Sequence, residues 1–169
     1  SIKHAIDNLA AAGIATVIAA GNDGYTNAVG FPGCISSAIT VGATTKSDAI
    51  ASYSNVSSLV DVFAPGSSIT AAITTSTTAI GGKSGTSMAT PHVVGAFAVM
   101  RSANPTMTVA QGLSALQGTG TTITDSRSNG TITKPRIAIA SAITSMAVPP
   151  PCTHVAPSIT VAQPAAVAT

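Results

Sequence analysis

Gly85-Thr86-Ser87-Met88-Ala89-Thr90-Pro91-His92 decides how this chain is read. Glycines stand at Gly81, Gly82 and Gly85, and an uncharged run, Val93-Val94-Gly95-Ala96-Phe97-Ala98-Val99-Met100, follows at once. The stretch reads as a flexible loop passing into a buried helix over 88–103, with Pro91 tolerable only in the first turn and Asn104-Pro105 closing the far end. A helix N-terminus offers unpaired N–H groups and a partial positive charge. Ser87 therefore stands where a hydroxyl can act as a nucleophile and where the oxyanion it generates can be held. The same pattern also describes an ordinary capped helix, because Ser and Thr are favoured caps.

Upstream, Ile14 to Ala20 is a continuous apolar run that predicts a fully buried strand, ending in the turn Gly21-Asn22-Asp23-Gly24. An Asn on such a turn can aim its side-chain NH₂ at a reacting carbonyl oxygen. It also tolerates a left-handed turn position for purely local reasons. Residues 2–12 have a helical period, capped by Ser1 and stopped by Gly13. Ala38 to Ala43 and Leu59 to Gly66 predict two more apolar strands, with a polar, loop-like stretch from Ser47 to Ser58 between them. Ser68 to Thr78 has β character and points to a hairpin toward Gly81-Gly82. Thr108 to Leu116 reads as a short amphipathic helix, Thr121 to Ile132 as a hairpin around Ser128-Asn129-Gly130, and Pro135 to Ser145 as a last helix. From residue 147 the composition shifts to Pro, Ala, Val and Thr, so 1–146 forms the domain and 147–169 a linker or tail.

The 169 residues suit one domain, and 45% hydrophobic content with a mean hydropathy of +0.46 supplies a core. Only 7% of residues are charged, so Ser, Thr, Asn and Gly must cover the surface, a composition that fits a secreted or extracytoplasmic protein. A net charge of +2 without a basic cluster gives no footprint for nucleic acid. No apolar run reaches the ~18 residues that a membrane helix needs. Ser1 is not an initiator Met and no signal-peptide pattern follows, so the chain reads as an internal or processed segment of a longer precursor. Cys34 and Cys152 are the only cysteines, and their pairing is open.

Taken together, the eight residues GTSMATPH resemble the serine-nucleophile motif of the subtilisin-like serine proteases, with Ser87 at the nucleophile. Ala19-Ala20-Gly21-Asn22, followed by Asp23 and Gly24, resembles the oxyanion-hole segment of the same family, and its distance from Ser87, 65 positions, is the family's. The resemblance covers residues 1 to about 145. It implies a three-layer α/β fold with a mainly parallel central sheet flanked by helices. It implies that Asn22 is the oxyanion donor beside the Ser87 N–H, and that Ala19, Ala20, Gly21 and Gly30 line the pocket for the side chain before the scissile bond. Phe31-Pro32 sits where the family often has a cis peptide. The Gly33, Ile35 and Ala38 carbonyls, with the Asp61 carboxylate, match a weak cation site suited to Ca²⁺ or another hard ion, although Asp61 has the alternative of bonding backbone N–H groups. The chemistry itself requires no cofactor.

A protease of this kind also needs a His base and an Asp that orients it. The family carries these on a DTG-like turn and an HGTH-like helix start before the serine, and neither motif occurs here. His4 lies on the first helix, His154 in the tail, and His92 matches a packing residue of the family. The resemblance thus places the triad Asp and His upstream of Ser1, in an N-terminal half that also supplies sheet strands and the other cleft wall. On this reading the chain is the C-terminal half of a serine endopeptidase domain, inactive alone, with protein or peptide as substrate. The alternative is an inactive homologue or fragment that only binds peptide. A purely structural Ala/Thr-rich domain would leave both motifs without a reason.

Overall fold

Ile39 to Thr44 is buried at every position. A strand without a polar face must be covered on both sides, and the fold is built around that need. The computed structural model describes residues 1–74, 77–127 and 132–146. In chain order the elements are α1 (Ile2–Ala11), β1 (Val17–Ala19), β2 (Ile39–Thr44), β3 (Val62–Pro65), β4 (Ile69–Ala72), β5 (Ile80–Lys83), α2 (Thr86–Ala103), α3 (Val109–Thr119), β6 (Thr121–Thr124), β7 (Thr133–Arg136) and α4 (Ile139–Met146). One five-stranded sheet runs β1-β2-β3-β7-β6, and β4 with β5 makes a separate antiparallel hairpin. Val17 faces Ile39, Val41 faces Val62 and Phe63 faces Arg136, all in parallel; within this sheet, β6 and β7 are the antiparallel pair.

Alternation along the strands sends Ile39, Val41, Ala43, Val62 and Ala64 to one face. There they meet Ala89, Val93, Ala96, Phe97 and Met100 of α2, with Leu116 of α3 and Ala142 of α4 behind. On the other face Phe63 packs with Ala20, Val56, Val60 and Ile123. Its ring sits against Gly42, where a Cβ would come within 2.3 Å of Phe63 Cε1, so no larger residue fits at 42 without moving the ring. Ile6 of α1 packs on the same side, against Ile18, Ile35 and Ala38. Helices on both faces of a mainly parallel sheet give three layers, as expected.

Several expectations shift in detail. β1 is shorter than 14–20 and only half-buried, because it is the sheet's edge and nothing described covers its outer side. β3 starts at Val62 rather than Leu59, since Val60 N–H folds back to Ser57 O in a turn. The polar stretch 47–58 is a loop, yet Ser54, Asn55 and Ser57 are buried. α2 begins two residues early, so Pro91 falls in the second turn; the Ser87 carbonyl loses the N–H that position 91 would have offered. One side of α2 is not buried at all: Pro91, Val94, Gly95, Ala98 and Val99 are exposed. Pro135 lies in β7, not in a helix, where it pairs with Thr122, and α4 begins only at Ile139. The hairpin turn at 128–131 and the tail 147–169 lie outside the described residues. The ends of α1 and α3 follow the sequence: Ser1 Oγ accepts from His4 N, Gly13 has φ 76, and Thr108 and Gln111 close a reciprocal capping box.

Candidate active site

β1 and α2 place Asn22 and Ser87 at one corner. The turn after β1 and the start of α2 meet at the carboxyl ends of the parallel strands, the usual position for a site in such a sheet. Gly85 is the N-cap of α2, and no side chain closes the cap. Ser87 is therefore one turn-position inside the helix, exposed, and does not act as the cap. Thr86, buried beneath it, ties the corner together. Its N–H donates to Asn22 Oδ1 at 2.8 Å, its hydroxyl donates to the same oxygen at 3.0 Å, and Gly21 N–H donates to that hydroxyl at 3.3 Å.

Two bonds on Oδ1 fix the Asn22 amide, and Nδ2 is left free to donate outward. Met88 and Ala89 N–H both turn back to Gly85 O, whereas Ser87 N–H has no partner among the described residues. Asn22 Nδ2, Asn22 Oδ1 and Ser87 N lie 3.5, 3.6 and 3.7 Å from the one point that a Cβ on Gly85 would occupy, so the Asn22 amide NH₂ and the Ser87 N–H, neither bonded among the described residues, are close neighbours. An orphan helical N–H and a fixed amide N–H beside an exposed hydroxyl form a place for an anionic oxygen.

The predicted pocket residues also gather here. Gly30 N–H donates to Ala20 O at 2.8 Å. Ala19, Gly21 and Gly30 are half-buried, but Ala20 is wholly buried and lies behind them. The Phe31–Pro32 peptide is cis. A recess of about 280 Å³ lined by Ile69, Ala71, Met88, Pro91 and His92 opens beside the helix start. His92 does not serve Ser87: its Nδ1–H points back along its own helix to Met88 O at 2.9 Å. His4 is exposed on α1, and His154 is outside the described residues.

At the candidate cation loop, Asp61 Oδ2 accepts Thr40 N–H at 2.7 Å, Gly33 O accepts the Thr40 hydroxyl at 2.5 Å, and Ile35 O accepts Ala38 N–H at 3.0 Å. The four residues are neighbours, and the protein already uses part of their acceptor capacity. Burial raises the Asp61 pKa, against the Thr40 N–H bond and the Lys134 charge, which lower it. Among the described residues no group of three His, Cys, Asp or Glu side chains stands together. An ion there would rest on Asp61 Oδ1 and carbonyl lone pairs, a sparse donor set that suits only a weakly held hard cation.

Sequence reasoning missed Thr86, and it missed Asn55 and Tyr53 in the stretch it took as a loop. Thr86 sits inside the motif and would be found by asking what satisfies Asn22. Asn55 and Tyr53 carry no local signal.

The sequence profile of the Subtilase family matches residues 1–135. The chain belongs to the subtilase family. It is 51% identical over 116 residues to the extracellular serine proteinase of Thermus sp. (strain Rt41A), covering 69% of this chain and 28% of the relative. It is 44% identical over 124 residues to subtilisin NAT of Bacillus subtilis subsp. natto, covering 72% and 32%. A solved protease structure from Pseudoalteromonas arctica PAMC 21717 superposes with a TM-score of 0.71 at 30% identity, over 85% of this chain and 46% of that one. The chain thus spans about a third of the length of these curated subtilase relatives.

Proposed function

We propose that this chain is the nucleophile-bearing half of a secreted serine endopeptidase. The observation that carries the reading is the fixed Asn22 amide beside the unpaired Ser87 N–H, next to the exposed Ser87 hydroxyl. Ser87 Oγ attacks the substrate carbonyl carbon, and its proton passes to an upstream His. Asn22 Nδ2 and Ser87 N–H donate to the oxyanion. The same proton then moves to the leaving amine as the C–N bond breaks, which leaves an acyl ester on Ser87. Water, deprotonated by the His, hydrolyses the ester. The peptide binds as an added strand, with the side chain before the scissile bond toward Ala19, Gly21 and Gly30, and Ala20 behind them.

No histidine or carboxylate among the described residues hydrogen-bonds Ser87, so none of them is placed to act as its base. The outer edge of β1 and the exposed side of α2 support the same conclusion from packing. Ile14, Val17, Val94 and Ala98 line one recess between them, and Ile14 and Val94 are each about half exposed. The upstream half adds its strands beside β1 and covers this side of α2. A cation at Asp61 belongs to the assembled domain.

A fluorophosphonate probe on the full-length protein tests the reading. Labelling at Ser87, abolished by Ser87→Ala, is expected. A full-length protein that carries the upstream Asp and His and stays unlabelled is a peptide binder and not a protease. Residues 1–169 alone should turn over no peptide; hydrolysis by them, lost on Ser87→Ala, refutes the claim that they are incomplete.

A further inference from the structure

The loop 51–55 carries no group that the proposed chemistry consumes, yet it touches both sides of the Ser87 corner. Asn55 is wholly buried. Its Oδ1 accepts Asp23 N–H at 2.9 Å and Tyr25 N–H at 3.0 Å, and its Nδ2 donates to Ala20 O at 3.1 Å and Asp23 Oδ2 at 2.9 Å. Its own N–H donates to Gly21 O at 3.0 Å. Two acceptor sites and two donor hydrogens are all an Asn side chain has, so Asn55 is saturated. Every one of these bonds goes to residues 20–25, the turn that carries Asn22. Gly21 makes room: it has φ 105, and a Cβ there would stand 2.3 Å from Asn55 Nδ2.

Two residues earlier, the Tyr53 hydroxyl donates to Gly66 O at 2.8 Å. Gly85 N–H donates to that same carbonyl at 2.9 Å, and Gly85 is the N-cap of the helix that carries Ser87. Tyr53 O meanwhile accepts Gly24 N–H at 2.8 Å. The loop therefore grips the Asn22 turn with Asn55 and the Ser87 helix start with Tyr53. From the far side, Arg127 donates to the carbonyls of Ala51, Ser52 and Ser54.

We infer that Asn55 is a positioning residue for the oxyanion site. It sets where Asn22 stands relative to Ser87 N–H without touching substrate itself. The inference rests on the serine-endopeptidase reading above. A side chain that acts only through Asn22 has nothing left to do once Asn22 is gone, and that separates positioning from general support of the fold. In the full-length protein, Asn55→Ala should lower kcat by about 10- to 100-fold with KM nearly unchanged, as small misplacements of a reacting group do. In an Asn22→Ala background the same change should cost less than about 2-fold. Equal losses in both backgrounds, or a loss seen mainly in KM, overturn the inference.

Asp23→Ala supplies a milder variant that keeps the protein folded, because Asp23 is exposed and the change removes one of the Asn55 bonds. It should lower kcat several-fold with Asn22 present and not without it; the same drop in both backgrounds again overturns the inference. Failure of fluorophosphonate to label the unaltered protein sinks the protease reading and this inference with it. A labelled protein in which Asn22 and Asn55 act independently sinks only this one.

Discussion

Two surfaces of the same helix behave in opposite ways. At its start, α2 meets the Asn22 turn in a corner where the side-chain oxygens of Asn22 and Asn55 are both engaged, while Asn22 Nδ2 and Ser87 N–H have no partner among the described residues. Along its side, α2 leaves Val94, Ala98 and Val99 uncovered by any described residue, next to the edge of β1 that no described strand pairs. The corner needs no partner to take shape. The side needs one to be covered, because a contiguous apolar surface beside an unpaired strand edge is costly in water. On the proposed reading, the oxyanion half of the site is organised from within this chain, while the base and the second cleft wall come from outside it.

The largest effect should come from the corner. In the full-length protein Ser87→Ala should cut kcat by about 10⁶-fold, a magnitude known from a subtilisin itself. Residual activity near the unaltered rate would break the assignment of the nucleophile. Next comes the brace behind the corner. The Arg127 guanidinium meets both oxygens of Asp125, whose side chain is 1% exposed, at 2.9 Å each. Removing it as Arg127→Ala leaves a buried, unpaired carboxylate and should cost about 3–5 kcal/mol in denaturant unfolding. That ion pair also has a pH signature. The Arg127 hydrogen bonds hold the Asp125 carboxyl below its ordinary value, so the stability it gives is present above the ordinary carboxylate pKa and disappears as pH falls through the lowered one. Arg127→Ala should therefore flatten the acid limb of the stability curve; an unchanged limb would show that the pair does not report on folding.

Asn22→Ala should lower kcat by about 10²–10³-fold with little change in KM, the range measured for an oxyanion donor in a subtilisin. The bare side of α2 is tested by Val94→Asp. In the full-length protein it should cost about 2–3 kcal/mol, because it buries a charge. In residues 1–169 alone it should leave unfolding nearly unchanged and raise solubility. Equal effects in both would mean that nothing covers this side. The smallest effect belongs to Asp61. Its raised pKa makes the charged form a burden above that pKa and relieves it as pH falls. Asp61→Asn, which keeps an acceptor for Thr40 N–H, should raise Tm by no more than about 2 °C near neutral pH and cancel any gain in Tm on adding Ca²⁺. A calcium-dependent Tm that survives the change would remove Asp61 from the cation site.

What was legible in the sequence is what is local. The Ser87 and Asn22 stretches, the Ser1 cap and the Gly13 stop all act within a few residues, so their spacing reports them. What escaped depends on distant neighbours. Ser54, Asn55 and Ser57 read as a polar loop; they are buried because β2 bonds Ser54, the Asn22 turn bonds Asn55, and Leu59 N–H of the next turn bonds Ser57. Pro135 resembled a helix start, yet its neighbour Arg136 is drawn into the sheet opposite Phe63, and Ile137 N–H reaches Phe63 O. The exposed stripe on α2 is hard to tell from the buried one, because both carry Val and Ala at helical spacing. Periodicity records which residues are apolar and not which of them this chain covers.

The parallel pairing of β3 with β7 has a consequence for the order of events during folding. Phe63 cannot meet Arg136 until nearly all of the described chain has been synthesised. β2 and β3 can register early, but the strand that closes the sheet on their far side arrives last, together with the Arg127 that clamps the loop 51–55. Long-range pairings of this kind make for slow folding. A growing chain therefore holds the GTSMATPH helix well before β7 closes the sheet, and the Arg127 clamp on the loop that grips the Asn22 turn is among its late contacts.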